Sequence, residues 1–308
     1  MIQHKHTSRS KAVSSLLKWY ANHARDLPWR NTSDPYRILV SEVMLQQTQV
    51  SRVLIKYGQF LHGFPTLRAL SRAGQREVVV AWKGMGYNNR AVRLHKLARA
   101  IIERHGGRFP RDYQSLVALP GVGRYTANAL LSSAFKFDVP TVDVNVRRFL
   151  SRAFWKMSST LELRSDQDIW RLTEELLPRG MSYQWNQALM DIGATICTLQ
   201  RPRCEICPAA SFCKSKQSMK ETNATKAKRE ASFDGIPNRI YRGRIIEELR
   251  KRNGVGSISI RNLGRRVHPN FSSRHSKWLE SLLNSLQRDG LILIQGNGSP
   301  TRQRVRLA

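Results

Sequence analysis

The 308-residue chain is 41% hydrophobic and carries 52 Lys+Arg against 22 Asp+Glu, a formal charge of +30 with an isoelectric point near 11.1. The hydrophobic share argues against wholesale disorder, and no run approaches the ~18 apolar residues of a membrane span. The self-repulsion of such a charge points to a polyanionic partner, with nucleic acid ahead of a membrane surface.

Residues 1–13 are basic and serine-containing, and no apolar stretch of a secretory leader follows, so a flexible tail is expected there. From 14 to 214 the sequence predicts helix after helix. "VSSLLKWYANHA", "YRILVSEVMLQQTQVSRVLIKYGQFL" and "AVRLHKLARAIIERH" repeat apolar residues at helical spacing, and "LPWRNTSDP", "HGFP", "GMGYNN", "HGGRFP" and "LPGVG" break them. All four cysteines fall between Cys197 and Cys213, with six, two and five residues between them. Clustering of this kind predicts a metal site rather than a disulfide framework. Cys197, Cys204, Cys207 and Cys213 suit either a tetrahedral zinc or a cubane iron–sulfur cluster. Between the first two, Arg201 and Arg203 are suited to phosphate contact.

Residues 215–237 are polar, charged and poor in aliphatics, the composition of a linker. From 238 to 308 a small α/β domain is predicted. The order is a helix over "IYRGRIIEELRKR", a short strand and helix in "SISIRNLGRRV", a longer helix in "SRHSKWLESLLNSLQRDG", then two strands around "GNGSP". That is the order of a winged helix. Residues 214–308 hold 21 Lys+Arg and 7 Asp+Glu, net +14, so +16 lies upstream and both parts are suited to DNA.

In "LPGVGRYTANALL" (119–131), Gly121 and Gly123 are expected to take positive φ and admit a close backbone approach. The amides opening the next helix can then bind a phosphate oxygen. A simple connector is the plainer reading of such a turn. In "TVDVNVRRFLSR" (141–152), Asp143 precedes an arginine-flanked apolar segment; it reads either as a helix N-cap or as a carboxylate for cationic chemistry, with Arg147 and Arg148 placed to hold phosphates.

The hairpin followed some twenty residues later by "VDVNVRR" resembles the helix-hairpin-helix DNA glycosylase superfamily, and "SEVMLQQTQV" (41–50) closely resembles its MutY-type adenine mismatch glycosylases. The resemblance covers roughly residues 14–214. It implies a mainly α, two-lobed helix-hairpin-helix glycosylase body with a 4Fe–4S cluster in the 197–213 loop. Asp143 then stabilises the developing sugar cation, Glu42 protonates the leaving adenine, and Tyr125 contacts Asp143 or the sugar. Endonuclease III relatives carry a lysine where Tyr125 stands; a phenol forms no Schiff base, so a monofunctional enzyme without lyase activity is implied. Gln46, Gln47 and Tyr87 match positions that probe the gap left by a flipped nucleotide. Gly121, Gly123, Arg124, Asn145 and Arg147 match the DNA-contacting surface. For Glu42 the plain alternative is a helix-start acid after Ser41; for Tyr87 and Trp29 it is a place in the core, which Trp29 favours.

The implied activity is removal of adenine mispaired with guanine or 8-oxoguanine in double-stranded DNA, by a cytoplasmic or nucleoid-associated monomer. The usual Nudix-like C-terminal domain is replaced here, and "GYY" stands as "GYNNR". Thymine, uracil or modified-base removal opposite guanine is therefore the second expectation, and a non-catalytic iron–sulfur DNA-binding regulator the third.

Overall fold

A computed structural model describes residues 2–157, 164–218, 230–252, 256–296 and 303–308. In chain order the helices are α1 (Ile2–His23), α2 (Pro35–Leu45), α3 (Val50–Gly63), α4 (Leu67–Arg72), α5 (Gln75–Ala81), α6 (Asn89–His105), α7 (Tyr113–Val117), α8 (Arg124–Ser133), α9 (Val144–Phe154), α10 (Asp166–Leu176) and α11 (Ser182–Thr195). The C-terminal part adds β1 (Ser232–Phe233), β2 (Ile236–Pro237), α12 (Asn238–Arg250), β3 (Ile258–Ser259), α13 (Ile260–Val267), α14 (Ser276–Arg288), β4 (Ile292–Gln295) and β5 (Arg304–Leu307). The mainly helical expectation holds. Among the described residues no helix is long and apolar enough to cross a membrane.

The chain forms two compact units. The first comprises residues 1–39, 111–117 and 122–227. Its core is built by α1, α9, α10 and α11, where Leu16, Val146, Phe149, Leu150, Ile169, Trp185, Leu189 and Ile192 are buried. Each such side chain contributes about 1.5–3 kcal/mol. Caps set where these helices begin: Asp143 opens α9, and Ser165 accepts from the Asp168 amide to open α10. Gly193 fixes how closely α11 approaches α9, because a Cβ there would lie 2.7 Å from the Asn145 carbonyl oxygen. The expected N-terminal tail is a correction. Helix α1 is continuous from Ile2 to His23, and Ala12, within the expected tail, is already buried.

The second unit comprises residues 40–110, 118–121 and 228–308. Phe60 meets Trp82 edge-on at 5.6 Å in the core of α3–α6, where Leu70, Leu94 and Ile101 are also buried. The C-terminal part belongs to this unit. Its three-stranded antiparallel sheet has order β3–β5–β4, with Ile258 opposite Val305 and Ile292 opposite Leu307. Ile245, Leu249, Leu263, Leu279 and Leu283 of α12–α14 are buried, and from α12 on the elements follow the expected order of helix, strand, helix, helix and two strands.

The expected linker, 215–237, is narrower than its composition suggested. Ser215 is buried and hydrogen-bonded to Trp155 and Met157, and Ser218 bonds to Met157. At the other end β1 and β2 form a small hairpin whose Phe233 stacks on Trp278 at 4.2 Å. Residues 219–229 lie outside the described residues. Nor is the C-terminal part an isolated module. The buried Arg250 guanidinium donates to the Val79 carbonyl and to Asn88 Oδ1, and Gln75 Nε2 donates to the Gly290 carbonyl at 2.6 Å. Polar residues alone could not reveal this, because the contacts run from helix ends to backbone oxygens far away in sequence.

Candidate active site

In the second unit Gln46, Gln47 and Tyr87 sit on two loops, one after α2 and one before α6. Gln47 has φ 56° and Tyr87 φ 42°, left-handed values that a non-glycine residue rarely adopts. Tyr87 is 47% exposed, which removes its core reading, whereas Trp29 is buried as favoured. Arg90 holds both loops. Its guanidinium donates to the carbonyls of Val43, Met44 and Gln46 on one side and to Met85, Gly86 and Tyr87 on the other, with Thr48 Oγ1 between them. Its charge centre also lies 5.4 Å from the Trp82 ring and 5.6 Å from the Tyr87 ring.

Burial, reinforced by Arg93, pushes the Arg90 pKa down to about 10, so it stays charged near neutrality. Sequence reading missed it; an arginine after "GYNN" is indistinguishable from the many surface arginines of this chain. Arg90→Lys keeps the charge but removes the fork that reaches both loops. It is expected to cost about 1–3 kcal/mol through unsatisfied carbonyls, measured as a shift in the urea midpoint. An unchanged midpoint would mean that the loops hold without the fork.

Glu42, also in the second unit, is half-buried between Ser41 and the buried Val43 and Met44. It lies near the C-terminal end of α2, not at a helix start, so the plain reading of Glu42 as a first-turn acid is corrected. In that place the helix dipole gives a carboxylate no help, which favours a role other than capping.

In the first unit Asp143 is indeed the N-cap of α9. Oδ1 accepts from the amides of Asn145 and Val146 at 2.8 and 2.7 Å, and Oδ2 from Asn145 Nδ2 at 2.9 Å. Capping and chemistry are compatible: three donors fix a half-buried carboxylate at the head of a helix in one orientation. Asn145 is therefore a positioning partner of Asp143. It in turn accepts from Arg148 Nη2 at 2.9 Å, and Arg148 also donates to the carbonyls of Gly193 and Cys197.

Arg148, 9% exposed, points into the protein and holds no phosphate, which corrects that expectation. Its neighbour Arg147 pairs with Asp166. In the hairpin, Gly121 has the expected positive φ of 81°, but Gly123 is an ordinary extended N-cap of α8 at φ −98°. Arg124 is exposed, pairs with Glu174 at 3.3 Å and lies 3.7 Å over the Trp170 ring. Tyr125 is half-buried in the first turn of α8.

All four cysteines line one pocket, together with Phe149, Arg152 and Arg203. Arg152 ties the loop to α9: Nη1 donates to the Thr198 carbonyl at 2.7 Å and to Cys197 Sγ at 3.6 Å, and Nη2 to the Leu199 carbonyl. Of the two loop arginines, Arg201 is exposed and Arg203 donates to the Thr195 carbonyl at 2.6 Å. Burial pushes the Cys207 thiol up to about 12 and raises Cys204 and Cys213, with the neighbouring thiols adding to each. Raised in this way, the thiols keep their protons near neutral pH unless a bound cation displaces them. Among the described residues no three His, Cys, Asp or Glu are placed to hold a single metal ion. The possible metal donors in the pocket are all sulfur.

A glycine hairpin opening a helix, an aspartate heading the next, and a four-cysteine loop stapled to that helix define a helix-hairpin-helix protein. The chain belongs to the HhH-GPD superfamily of base excision DNA repair proteins, whose family model matches residues 40–175. It is 41% identical over 233 residues to human adenine DNA glycosylase, covering 73% of this chain and 42% of that protein. To the adenine DNA glycosylase of Mycolicibacterium smegmatis it is 40% identical over 236 residues, covering 76% and 79%. Among solved structures it resembles a thermostable thymine-DNA glycosylase, with TM-score 0.65 and 33% identity over 70% of this chain and 99% of that one. The chain thus spans about two-fifths of the length of the human and mouse relatives.

Proposed function

We propose that the protein is a DNA glycosylase that hydrolyses the N-glycosidic bond of adenine mispaired with guanine or 8-oxoguanine. The observation that carries this reading is the fixed, half-buried carboxylate of Asp143, in a chain 40% identical to an adenine DNA glycosylase along most of that relative's length. Loss of the base leaves positive charge on the sugar, as in glycoside hydrolysis. Asp143 is locked by the α9 amides and Asn145, so it meets that charge without reorganising. Glu42 donates the proton that lets a purine depart, a task suited to its half-buried place among apolar neighbours. Gln46, Gln47 and Tyr87 enter the space vacated by the flipped nucleotide, held there by Arg90. The amides opening α8, with Gly121, Gly123 and Arg124, take the phosphates. Tyr125 offers a phenol and no amine, so the reaction ends at the abasic site. The place of action is wherever the cell keeps its DNA.

Single-turnover assays on duplexes holding adenine opposite guanine or 8-oxoguanine, and thymine or uracil opposite guanine, test this directly, with alkali added to reveal abasic sites. Adenine release without strand breakage before alkali is expected. A second reading, thymine removal opposite guanine, is favoured by the likeness to the thymine-DNA glycosylase along 99% of that chain. Release of thymine but not adenine would establish it instead. No base released from any of the duplexes would refute both.

The all-sulfur pocket fits a 4Fe–4S cluster held by Cys197, Cys204, Cys207 and Cys213. Bound there, a cluster would cross-link four points of the loop that Arg148 and Arg152 join to α9. Its contribution to catalysis is then through the position of that helix. Protein purified under mild conditions is expected to be brown and to contain about four irons per chain, measured by metal analysis. One zinc per chain in their place would refute the cluster.

A further inference from the structure

In a winged helix the longer helix before the wing, here α14, is the expected groove reader, but the charge of this C-terminal part lies elsewhere. The outer face of α14 exposes Lys277, Ser281, Asn284, Gln287 and Arg288, with Glu280 half-exposed. It is mostly neutral. Helix α13 buries Ile260, Leu263, Gly264 and Val267 and exposes Arg261, Arg265 and Arg266, with no acid in its eight residues.

Arg265 and Arg266 line a cavity with Arg252, from beyond the end of α12, and Arg304, the first residue of β5; Ser257, Ser259 and Asn262 supply hydroxyl and amide groups between them. Arg304 is aimed by its own bonds, Nε to Ser257 Oγ at 2.7 Å and Nη2 to the Ser257 carbonyl at 2.9 Å. Arg252 Nε is buried without a hydrogen-bond partner among the described residues. Glu248 is the nearby acid: it takes Lys251 on one oxygen and Arg266 at 3.6 Å on the other. Four guanidinium groups around one concavity repel each other unless an anion with several acceptor oxygens sits among them, and guanidinium forks match phosphate.

We propose that the face formed by the end of α12, by α13 and by the start of β5 is a clamp for the sugar–phosphate backbone of duplex DNA. It binds without reading base sequence, and α14 contributes little. The clamp rests on the reading that this protein acts on DNA, but it is tested by binding to fully matched duplexes, where no base is removed.

The test uses the full chain and fluorescence anisotropy with two matched duplexes of unrelated sequence, across a salt series. Arg265→Gln with Arg266→Gln is expected to weaken binding roughly tenfold at about 0.1 M salt and to flatten the log–log salt slope by about two, since each phosphate contact contributes about 0.9. The loss is expected to be equal on both duplexes. Lys277→Gln with Arg288→Gln, on α14, is expected to change affinity by less than about twofold. Arg265 and Arg266 are exposed, so the melting temperature is expected to be unchanged; Arg304→Lys, which keeps the charge but loses the fork, gives a smaller loss in the same direction. An unchanged slope in the α13 double variant, a loss confined to one sequence, or an equal loss from the α14 pair would each overturn the proposal. Base release can fail entirely in the assays above while this binding result stands.

Discussion

Asp143→Asn is expected to lower single-turnover base release by about a thousandfold or more, the size of losing a preorganised electrostatic group in an active site. Binding to the mispaired duplex and thermal stability are expected to change little. Geometry allows this separation. The Oδ1 atom of an asparagine can still accept from the amides of Asn145 and Val146, and asparagine is as good an N-cap as aspartate. What it cannot do is face the sugar with negative charge. Its amide would also meet Asn145 Nδ2, a donor where the native contact at 2.9 Å has an acceptor. That conflict costs about 1 kcal/mol, far less than the loss in rate. Asp143→Ala removes the cap as well and should lose both stability and rate. If Asp143→Asn keeps wild-type turnover, the carboxylate is a cap and nothing more. Glu42→Gln separates the two bases: a purine without its proton donor departs slowly, so adenine release should fall more than thymine release.

Local signals made much of this fold legible in the sequence. The breakers between helical runs fall where the chain turns, and "SISIRNLGRRV" divides into β3 and α13 as its residues suggest. The helical run over residues 36–61, however, is split at 46–49 into α2 and α3, a break its apolar spacing does not announce. The four cysteines line one pocket, in keeping with their clustering in the sequence. Asp143 was legible in both its senses, because an acid before an amphipathic run caps a helix whatever else it does. Gly123 departs from its expectation because an N-cap is extended: φ is −98° there, and of the two glycines Gly121 alone takes the left-handed turn.

The arginines were opaque. With a formal charge of +30, the residue types alone do not separate a phosphate contact from an arginine that the protein uses internally. Three of the arginines bind the protein's own carbonyls: Arg90 braces the Gln47 and Tyr87 loops, Arg148 joins α9 to Gly193 and Cys197, and Arg152 holds the cysteine loop. These partners are backbone oxygens, which every residue has, so no pattern of residue types announces them. Arg250 is a fourth case. It joins the C-terminal part to residues 79 and 88, where composition suggested a module on a tether. Counting basic residues thus overstates the DNA-binding surface, and the burial of each arginine decides its role.

Asp191 shows the same point from the acidic side. It is 0% exposed on α11, and its carboxylate accepts from Arg25 Nε and Arg30 Nη2 on Oδ1, and from the Arg25 amide and Arg30 Nη1 on Oδ2. Arg30 is itself nearly buried, with its carbonyl accepting from the Tyr183 hydroxyl. Burial opposes ionisation of Asp191, but Arg30 and then Arg25 outweigh it and hold the carboxyl below its ordinary value of 3.8. Asp191→Asn is expected to cost about 3–5 kcal/mol, because it leaves the Arg30 charge buried and uncompensated. A carboxyl whose pKa is depressed on folding contributes stability that is present above its unfolded pKa and lost as pH falls through the folded one. Wild-type stability should therefore fall below about pH 4, and the variant should lose that part of the acid dependence. Urea unfolding across pH measures both effects. Arg30→Met combined with Asp191→Asn provides the check on cause: if the uncompensated charge is the penalty, the double variant recovers stability relative to Asp191→Asn alone. A double variant no more stable than Asp191→Asn would place the cost in lost packing instead. The consequence reaches the site by a short route, since Gly193, two residues on, is the point where α11 presses against Asn145, the partner of Asp143.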